Sequence, residues 1–490
     1  MTSLKHKTVS GVKWQMVSKI TQKAISVGTF AVLARILEPS TFGLFALAFV
    51  AIDGFHIFKS FGLDSALIQR KDRIDDAAHT ADFIVLGMGF LMAIVCFLIA
   101  PLAAYFFHNH DVLSVIQVLA VIFVISSFSK IPGTLLAKQM RFGVLSVIDL
   151  IATIVNSFFA ISFSILTPTV WSLVFAYLIK QIVTALLYRI ISGYRFKWYF
   201  DYRLAKELLH FGKYMMGLGW LGYLNENIAN ISIGKILGAL DLGYYALANN
   251  IGNFINTHFT YLLEGVMFPA YSSIQHDREE VLRVYLKTTK YVSLLALPFS
   301  VLLIFLPKEL VLTLYGEKWL AIVPLLRIFG IVQLFAPVSI CSGSVFLGCG
   351  KPEYNYRIAL YAVLIKIPLL IIFTKYYGLI GAALVDLIIL CVLLPLNMQW
   401  VRSIIPFNYL KLFKQFIPTI SCAIVMIAVV AGVKAFILPL LEFQQYLTYL
   451  INLVLPSMIG LGAYLMAFSL IDRAAIREIK QLIVKTNSEV

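Results

Sequence analysis

Residues 34–48 read ARILEPSTFGLFALA, and residues 234–248, 200 positions later, read GKILGALDLGYYALA. Six of the fifteen positions are identical, and Arg35 in the first segment corresponds to Lys235 in the second. Similarity at a fixed offset is typical of a structural unit that occurs more than once in a chain. The sequence therefore predicts two copies of one unit, and each copy opens with the same pair of elements.

The composition of the chain as a whole is that of a membrane protein. The chain has 490 residues, of which 60% are hydrophobic and 13% charged, and its mean hydropathy is +0.88. The apolar residues occur in runs of about 20, the length that an α-helix needs to cross a bilayer. The runs do not alternate as the strands of a membrane barrel would. We therefore expect an all-α polytopic membrane protein.

About fourteen segments are predicted to span the membrane. The first seven are residues 14–36, 42–61, 82–106, 113–131, 145–166, 170–191 and 214–237. The other seven are residues 244–268, 291–306, 323–347, 355–373, 378–400, 416–437 and 447–471. Six spans per copy is an even number, so the two copies run in the same direction and form a parallel repeat about an axis along the membrane normal.

The repeat predicts three regions. An N-terminal lobe occupies residues 1–210, a C-terminal lobe residues 211–413, and the last two spans with a cytoplasmic tail residues 414–490. Two six-helix lobes related in this way are expected to enclose a central cavity.

The positive charge of the chain has a topological explanation. Its net charge is +15, which in a soluble protein would favour nucleic acid as a partner. Here the odd-numbered connections hold only Lys308, Lys318 and Lys375, whereas most of the other basic residues lie in the even-numbered connections and at the two ends. Cytoplasmic loops of membrane proteins carry an excess of Lys and Arg over the loops on the other side. Both termini are therefore expected in the cytoplasm, and no nucleic-acid partner is expected.

Polar residues form stripes on the predicted spans of the first copy. Lys19, Gln22 and Lys23 share one face of the first span, and Asp53 and His56 share one face of the second. A charged side chain at mid-bilayer costs about 2.5–3.5 kcal/mol on insertion scales, so such residues usually face a water-filled cavity or a partner. We expect these two faces to line the central cavity.

The second copy carries amides where the first carries cations. Asn249, Asn253 and Asn256 lie along the eighth span, and the last two occupy the positions that correspond to Asp53 and His56 of the second span. Glu226 and Asn230 share a face of the seventh span. Asn, Gln and His side chains suit sugar hydroxyls. The alternative is that these polar residues only join helices by hydrogen bonds, which contribute about 0.6 kcal/mol on average.

The buried cations predict an anion site. Two lysines one turn apart, Lys19 and Lys23, suit a multiply charged anion such as a pyrophosphate, and Lys180 and Lys366 are further deep cations. Lys366 could instead form a buried pair with Asp386, either structural or part of a proton or sodium relay. Asp53 and Glu226 are the other candidates for ion coupling.

Several function classes are disfavoured by what the sequence lacks. The outer connections are short and there is no Gly-rich nucleotide motif, so neither a catalytic extramembrane domain nor ATP-driven transport by this chain alone is expected. We expect no enzymatic activity, no metal and no cofactor, with a proton or sodium gradient as the energy source if transport is active.

The motifs resemble those of a known family. SGVKWQMVSKITQKAISVGTFAVLARILEPSTFGLFALA at the start, then GLDSALIQRKD, LGALDLGYYALANNI, LYGEKW and GCGKPEYNYR, occur in order along nearly the whole chain. The chain resembles the polysaccharide transporter family, the Wzx-type flippases of the multidrug/oligosaccharidyl-lipid/polysaccharide exporter superfamily, and within it the colanic-acid and lipopolysaccharide exporters.

This resemblance implies alternating access by two rocking lobes, with an undecaprenyl-pyrophosphate-linked oligosaccharide as cargo. It also implies a cationic cavity for the pyrophosphate, matched by Lys19 and Lys23, and a groove for the polyprenyl tail on the last two spans. The implied setting is a bacterial inner membrane, with membrane lipids, a polysaccharide polymerase and a chain-length regulator as partners. The alternatives are a cation-coupled multidrug exporter of the same superfamily, disfavoured by a lysine-lined cavity that repels cations, and a membrane enzyme of polysaccharide assembly.

Overall fold

The computed structural model describes residues 2–60, 62–440 and 445–473. The helices are α1 (Thr2–Ile36), α2 (Pro39–Ser60), α3 (Leu63–Gln69), α4 (Ile74–Phe107), α5 (Asp111–Leu119), α6 (Val121–Lys138), α7 (Phe142–Leu166), α8 (Val170–Ser192), α9 (Tyr202–Ile236), α10 (Ala239–Gly252), α11 (Phe254–Ile274), α12 (Arg278–Phe305), α13 (Pro307–Leu314), α14 (Val323–Gln333), α15 (Ala336–Gly348), α16 (Pro352–Ile404), α17 (Tyr409–Gly432) and α18 (Gln445–Ile471). These ranges contain no strand, so the all-α prediction is confirmed.

The predicted spans coincide with these helices. Each lies within one α-helix or two consecutive ones, except at the ends of four spans. Phe61, at the end of the second span, is outside the described residues, as is the tail at 474–490. Leu237 and Leu306 lie one residue beyond α9 and α12, and Val433–Ile437 forms a π-helical turn after α17. By length and hydropathy, nine of the described helices could cross a membrane, or ten if one bent pair counts as a single span. The chain is a multi-pass membrane protein, and the number fourteen stays a prediction.

Side-chain caps explain why α9 and α12 begin well before the hydropathy-based boundaries. α9 begins at Tyr202 because the Asp201 side chain accepts hydrogen bonds from the backbone N–H groups of the first turn. Asp277 caps α12 in the same way. Hydropathy cannot locate these starts, since the added turns are polar and lie outside the apolar runs.

The helices break within the eighth and tenth predicted spans and reverse between the eleventh and twelfth. The eighth is divided at Asn253 into α10 and α11. The tenth is bent by 48° between α14 and α15, because Pro337 in the first turn of α15 has no N–H to donate and clashes with the carbonyl four residues earlier, that of Gln333. In α16 the backbone reverses at Gly378 (φ 58°, ψ −142°), so that the eleventh and twelfth spans form a hairpin.

The chain divides into two compact units, Met1–Ala246 and Leu247–Val490. In the first unit α7 packs between α1 and α8, α6 packs on α4 and α8, and α2 packs on α4, α5 and α9. α9 belongs to this unit because it also packs on α3 and α4. The region boundaries predicted at residues 210 and 413 rest on the sequence repeat and stay predictions.

The two copies of the repeated segment meet at equivalent glycines. A Cβ added at Gly43 would lie 1.6 Å from the carbonyl oxygen of Ala239, and a Cβ added at Gly243 would lie 1.9 Å from that of Pro39. These contacts are reciprocal, since 43 corresponds to 243 and 39 to 239. A twofold axis produces such an arrangement, so the structure supports a symmetric repeat at this point.

The second unit has its largest apolar clusters on α12. One cluster joins α12 to α15, the end of α16 and the start of α17, and it contains Tyr285 and Phe346, both fully buried. Another joins α12 to α17 and α18 around Met426 and Tyr464. An ion pair between Lys290 and Asp472 also connects α12 to the residue that follows α18.

Candidate functional site

α1 is positioned by polar contacts with α7. The Ser18 hydroxyl donates to the carbonyl oxygen of Ser146 at 3.0 Å, and the Gln22 amide donates to the same oxygen at 3.4 Å and to the Ser18 hydroxyl at 3.0 Å. Gln22, predicted to bind sugar, therefore also attaches α1 to α7. Lys19 is exposed and Lys23 is half-buried on the adjoining part of the helix.

A carboxylate lies among the cations of the first unit. Asp149 of α7 interacts electrostatically with Lys180 of α8 and Lys19 of α1, and its Oδ1 accepts a hydrogen bond from the Tyr188 hydroxyl at 3.2 Å. The Lys180 ammonium also lies 5.9 Å from the centroid of the Tyr177 ring, within cation–π range. Three helices thus bring two predicted lysines together around one acidic group.

The polar face of α2 is exposed, and its place along a central cavity stays a prediction. Asp53 and His56 both have exposed side chains, and the Asp53 carboxylate interacts electrostatically with Glu226 of α9. α2 and α9 are held together there by the Tyr223 hydroxyl, which donates to the carbonyl oxygen of Val50 at 2.7 Å. The structure therefore brings together the two acidic residues of this unit that are candidates for ion coupling.

Asn230 has a local partner. Its side-chain amide donates to the Oδ1 of Asn227 on the same helix at 3.4 Å. It is half-buried, whereas Asn227 is buried. This pair follows the helical i, i+3 spacing and contributes little to stability by itself.

Three amides in the second unit form a chain across two helix interruptions. Asn253 Nδ2 donates to Asn249 Oδ1 at 2.6 Å, and Gln333 Nε2 donates to Asn253 Oδ1 at 3.1 Å. Gln333 is 1% exposed, and its Oε1 is buried without a hydrogen-bond partner among the described residues. Interrupted spans are tolerated where they are buried in protein or line a cavity. Asn256 lies on the exposed side of α11.

The predicted contact between Lys366 and Asp386 is confirmed. The Lys366 ammonium lies 2.8 Å from Asp386 Oδ1, and the two side chains are 15% and 18% exposed. The reversal at Gly378 brings the two arms of the α16 hairpin together and so creates this pair. Lys366 therefore already forms an ion pair within the protein, which distinguishes it from a cation whose charge is available to a ligand.

Sequence reasoning missed Asp149 and Gln333. Asp149 lies inside the fifth predicted span, and an ionisable residue at such a position is itself a signal of a functional role. Gln333 lies four residues before Pro337, and the proline marks the point where the tenth span must break. The described part of the chain holds no group of three or more His, Cys, Asp or Glu side chains that could bind a metal ion.

Comparison with known proteins places the chain in a family. The sequence profile of the family described as "Polysaccharide biosynthesis protein" matches residues 32–324, more than half of the chain. The chain belongs to this family. Its match begins in α1 and extends through the repeated segments to the first turn of α14.

Two curated relatives cover most of the chain. The lipopolysaccharide biosynthesis protein WzxC of Escherichia coli (strain K12) is 24% identical over 470 residues, which are 96% of this chain and 88% of that protein. The teichuronic acid biosynthesis protein TuaB of Bacillus subtilis (strain 168) is 26% identical over 366 residues, 73% of this chain and 74% of that protein.

The fold resembles that of a solved flippase. The structure of the lipid II flippase MurJ in an inward closed conformation aligns with a TM-score of 0.77 at 16% identity, and the alignment covers 94% of this chain and all of that one. The protein is therefore a membrane protein with a MurJ-like transporter fold.

Proposed function

We propose that the protein is a flippase that moves undecaprenyl-pyrophosphate-linked oligosaccharide repeat units across a bacterial cytoplasmic membrane by alternating access, for the synthesis of a surface polysaccharide. Membership of a polysaccharide biosynthesis family and a fold like that of a lipid II flippase both support this. The observation that carries the proposal is the family match over residues 32–324. Lys19 and Lys180, which interact electrostatically with Asp149 in the first unit, are among the cations proposed to contact the pyrophosphate.

The chemistry of such a cargo explains why polar residues line these helices. Transfer of a hydroxyl into hydrocarbon without a hydrogen bond costs about 2–7 kcal/mol, and transfer of an ionised group costs far more. A glycan with a pyrophosphate therefore needs a wet path, with Lys19, Lys23 and Lys180 as the cations near the phosphates, whereas Lys366 is paired with Asp386. The sugar would contact amides and His56 along the same path.

The polyprenyl tail needs no such path. It can stay in the lipid or lie along α17 and α18, where Ile424 and Leu465 are 60% and 52% exposed. α18 and most of α17 belong to the third predicted region, residues 414–490. The lobes at residues 1–210 and 211–413 would then rock around the cargo head group.

The proposal includes the setting and the partners. Both termini would be cytoplasmic, and the flipped repeat units would be delivered to a polymerase and a chain-length regulator. The protein would transport without chemical conversion, and a proton or sodium gradient acting through Asp53, Glu226 or Asp386 would drive the cycle.

Lipid-linked oligosaccharides in cells that lack the gene provide the test. Mass spectrometry measures the pool, and a membrane-impermeant glycosidase applied to spheroplasts reports its leaflet. We expect a complete repeat unit to accumulate in a form that the enzyme cannot reach. An unchanged pool would refute the proposal, and loss of drug resistance in the same cells would favour the multidrug exporter.

The lysine site has its own test. We expect the Lys19→Ala, Lys23→Ala variant to lose export at normal membrane abundance, because the pyrophosphate loses its nearest cations. The matched control is Lys19→Arg, Lys23→Arg, which keeps both charges and should retain export. Normal export by the alanine variant would eliminate these lysines as the anion site.

A further inference from the structure

A cavity of about 560 Å³ lies in the first unit, apart from the polar faces described above. It is formed by the first turns of α4, the end of α6 and the segment that follows α8, and its volume is in the range of ligand pockets. The titratable residues that line it are Asp75, His79, Tyr194, Lys138, Arg195 and Lys197.

The segment after α8 separates charged from aromatic side chains. α8 ends at Ser192. Gly193 after it is left-handed (φ 66°), and the chain then runs to α9 without regular secondary structure. Within this segment the N–H of Tyr199 donates to the carbonyl oxygen of Lys197 at 2.8 Å. Arg195 and Lys197 line the cavity, whereas the rings of Phe196 and Trp198 pack against each other at 5.3 Å.

The segment is fixed at both ends. At its start the Tyr194 hydroxyl lies 2.9 Å from His79 Nδ1, and the two rings stack. At its end Asp201 forms an ion pair with Arg73 at 3.0 Å, and its backbone N–H donates to the Thr80 hydroxyl at 3.3 Å. The cations and the aromatic rings between these points are therefore held in place before any ligand arrives.

The aromatic side of the segment is an exposed apolar surface. The Phe83 ring of α4 lies 6.1 Å from that of Trp198 and 5.4 Å from that of Phe200. Trp198 is 86% exposed, and Phe200 is 49% exposed. Exposed aromatic rings beside cations, at the end of membrane-spanning helices, are typical of the level of the lipid head groups.

The charge of the cavity favours an anion. Lys138 is already engaged, because its ammonium donates to carbonyl oxygens at the end of α3, including that of Leu67 at 2.8 Å. Arg195 and Lys197 form no ion pair with any other residue that the structure describes. Asp75 is the one carboxylate in the lining, so the two available cations leave the cavity with net positive charge.

We propose that this cavity binds an anionic phospholipid, with the head-group phosphate between Arg195 and Lys197 and the acyl chains along Phe83, Trp198 and Phe200. The cations supply the charge that a phosphate needs, and the aromatic surface beside them fits lipid better than a water-soluble anion. The site is separate from the proposed cargo path, so it does not depend on the flippase proposal.

Native mass spectrometry of the purified full-length protein tests the site. Phosphatidylglycerol is titrated against phosphatidylcholine, and the fraction of protein that retains one lipid is measured. Each cation near the membrane surface contributes about fivefold in affinity, so R195Q/K197Q should weaken binding of phosphatidylglycerol about 30-fold. The matched control, R203Q/K206Q, removes the same charge from the first turns of α9, which do not line the cavity, and should change binding less than twofold.

Two further measurements separate the remaining outcomes. R195K/K197R keeps both charges, so retained binding with an unchanged unfolding temperature supports the site. Equal losses in R195Q/K197Q and R203Q/K206Q would indicate diffuse attraction and overturn the proposal. Displacement of phosphatidylglycerol by millimolar inorganic phosphate would also overturn it, because the site would then bind a free anion. None of these measurements requires transport, so failure of the flippase proposal would leave the result unaffected.

Discussion

Alanine at the paired glycines gives the sharpest test of the repeat. A Cβ at position 43 would lie 1.6 Å from the Ala239 carbonyl oxygen, and a Cβ at position 243 would lie 1.9 Å from that of Pro39. Contacts of this kind below 3.0 Å essentially never occur. The two backbone segments would therefore have to separate by about 1.4 Å for Gly43→Ala and about 1.1 Å for Gly243→Ala.

The expected cost follows from which atoms clash. Overpacking costs about 1–3 kcal/mol, and here both obstacles are backbone atoms that cannot rotate away. We expect Gly43→Ala to lower the free energy of unfolding by about 3 kcal/mol and Gly243→Ala by about 2 kcal/mol. The separation forced by the first methyl group makes room for the second, so the double variant should lose about 3 kcal/mol rather than the sum.

The assay measures the unfolding of purified protein in detergent. The protein is heated or titrated with denaturant, and size-exclusion chromatography then measures the fraction that remains folded. The controls are Gly28→Ala in α1 and Gly222→Ala in α9, where an added Cβ meets no atom within 4 Å. Alanine at such helical positions should be neutral or stabilise by up to about 1 kcal/mol.

Two results would refute this reasoning. Strictly additive losses in the double variant would mean that the two glycines are not parts of one reciprocal contact. Losses no larger than those of the controls would mean that the segments do not approach as closely as the structure shows.

Three further predictions concern polar contacts. Lys366→Ala should cost about 3–5 kcal/mol in unfolding free energy because it removes the ammonium group that contacts the largely buried Asp386 carboxylate, and adding Asp386→Ala should restore most of that loss in the same denaturant titration. Gln333→Leu should cost about 1 kcal/mol by removing the hydrogen bond to Asn253, and Gln333→Glu should cost more, because an ionised carboxylate cannot donate to Asn253 Oδ1 and its charge is buried. The pKa of Asp201 lies below its ordinary value, chiefly because the N–H of Leu204 donates to it, with the Arg203 N–H and the Arg73 guanidinium adding to the effect. Its stabilisation is therefore present above the ordinary carboxyl pKa and is lost as pH falls through the lowered one, so Asp201→Asn should flatten the dependence of the unfolding temperature on pH below about 4.

Hydropathy and the repeat predicted most of the fold. The apolar runs located the helices because a spanning segment must satisfy its own backbone and bury few charges. The interruption at Asn253 was not predicted, since a run of apolar residues looks the same whether its helix is straight or broken. The reversal at Gly378 agrees with the predicted boundary between the eleventh span, residues 355–373, and the twelfth, residues 378–400. Pro337 was a usable signal for the bend in the tenth span.

The candidate site was only partly predictable. The pairing of Lys366 with Asp386 followed from two opposite charges in adjacent spans, and the structure confirms it. A helical wheel shows which residues share a face but not what lies opposite that face. Gln22 therefore appeared as a cavity residue although its amide donates to Ser146, and Asp149 was overlooked because its partners come from two other helices.

The hairpin of α16 bears on how the chain enters the bilayer during synthesis. A single charged residue at the centre of a membrane-spanning helix costs about 2.5–3.5 kcal/mol on insertion. Each arm of the hairpin would therefore insert poorly into the bilayer on its own. Only the short connection at residues 374–377 and the reversal at Gly378 separate the two arms, so Lys366 and Asp386 can neutralise each other as soon as both arms have left the ribosome. Delivery of the two arms as one unit would let a chain with charged spans pass the translocon without help from other helices.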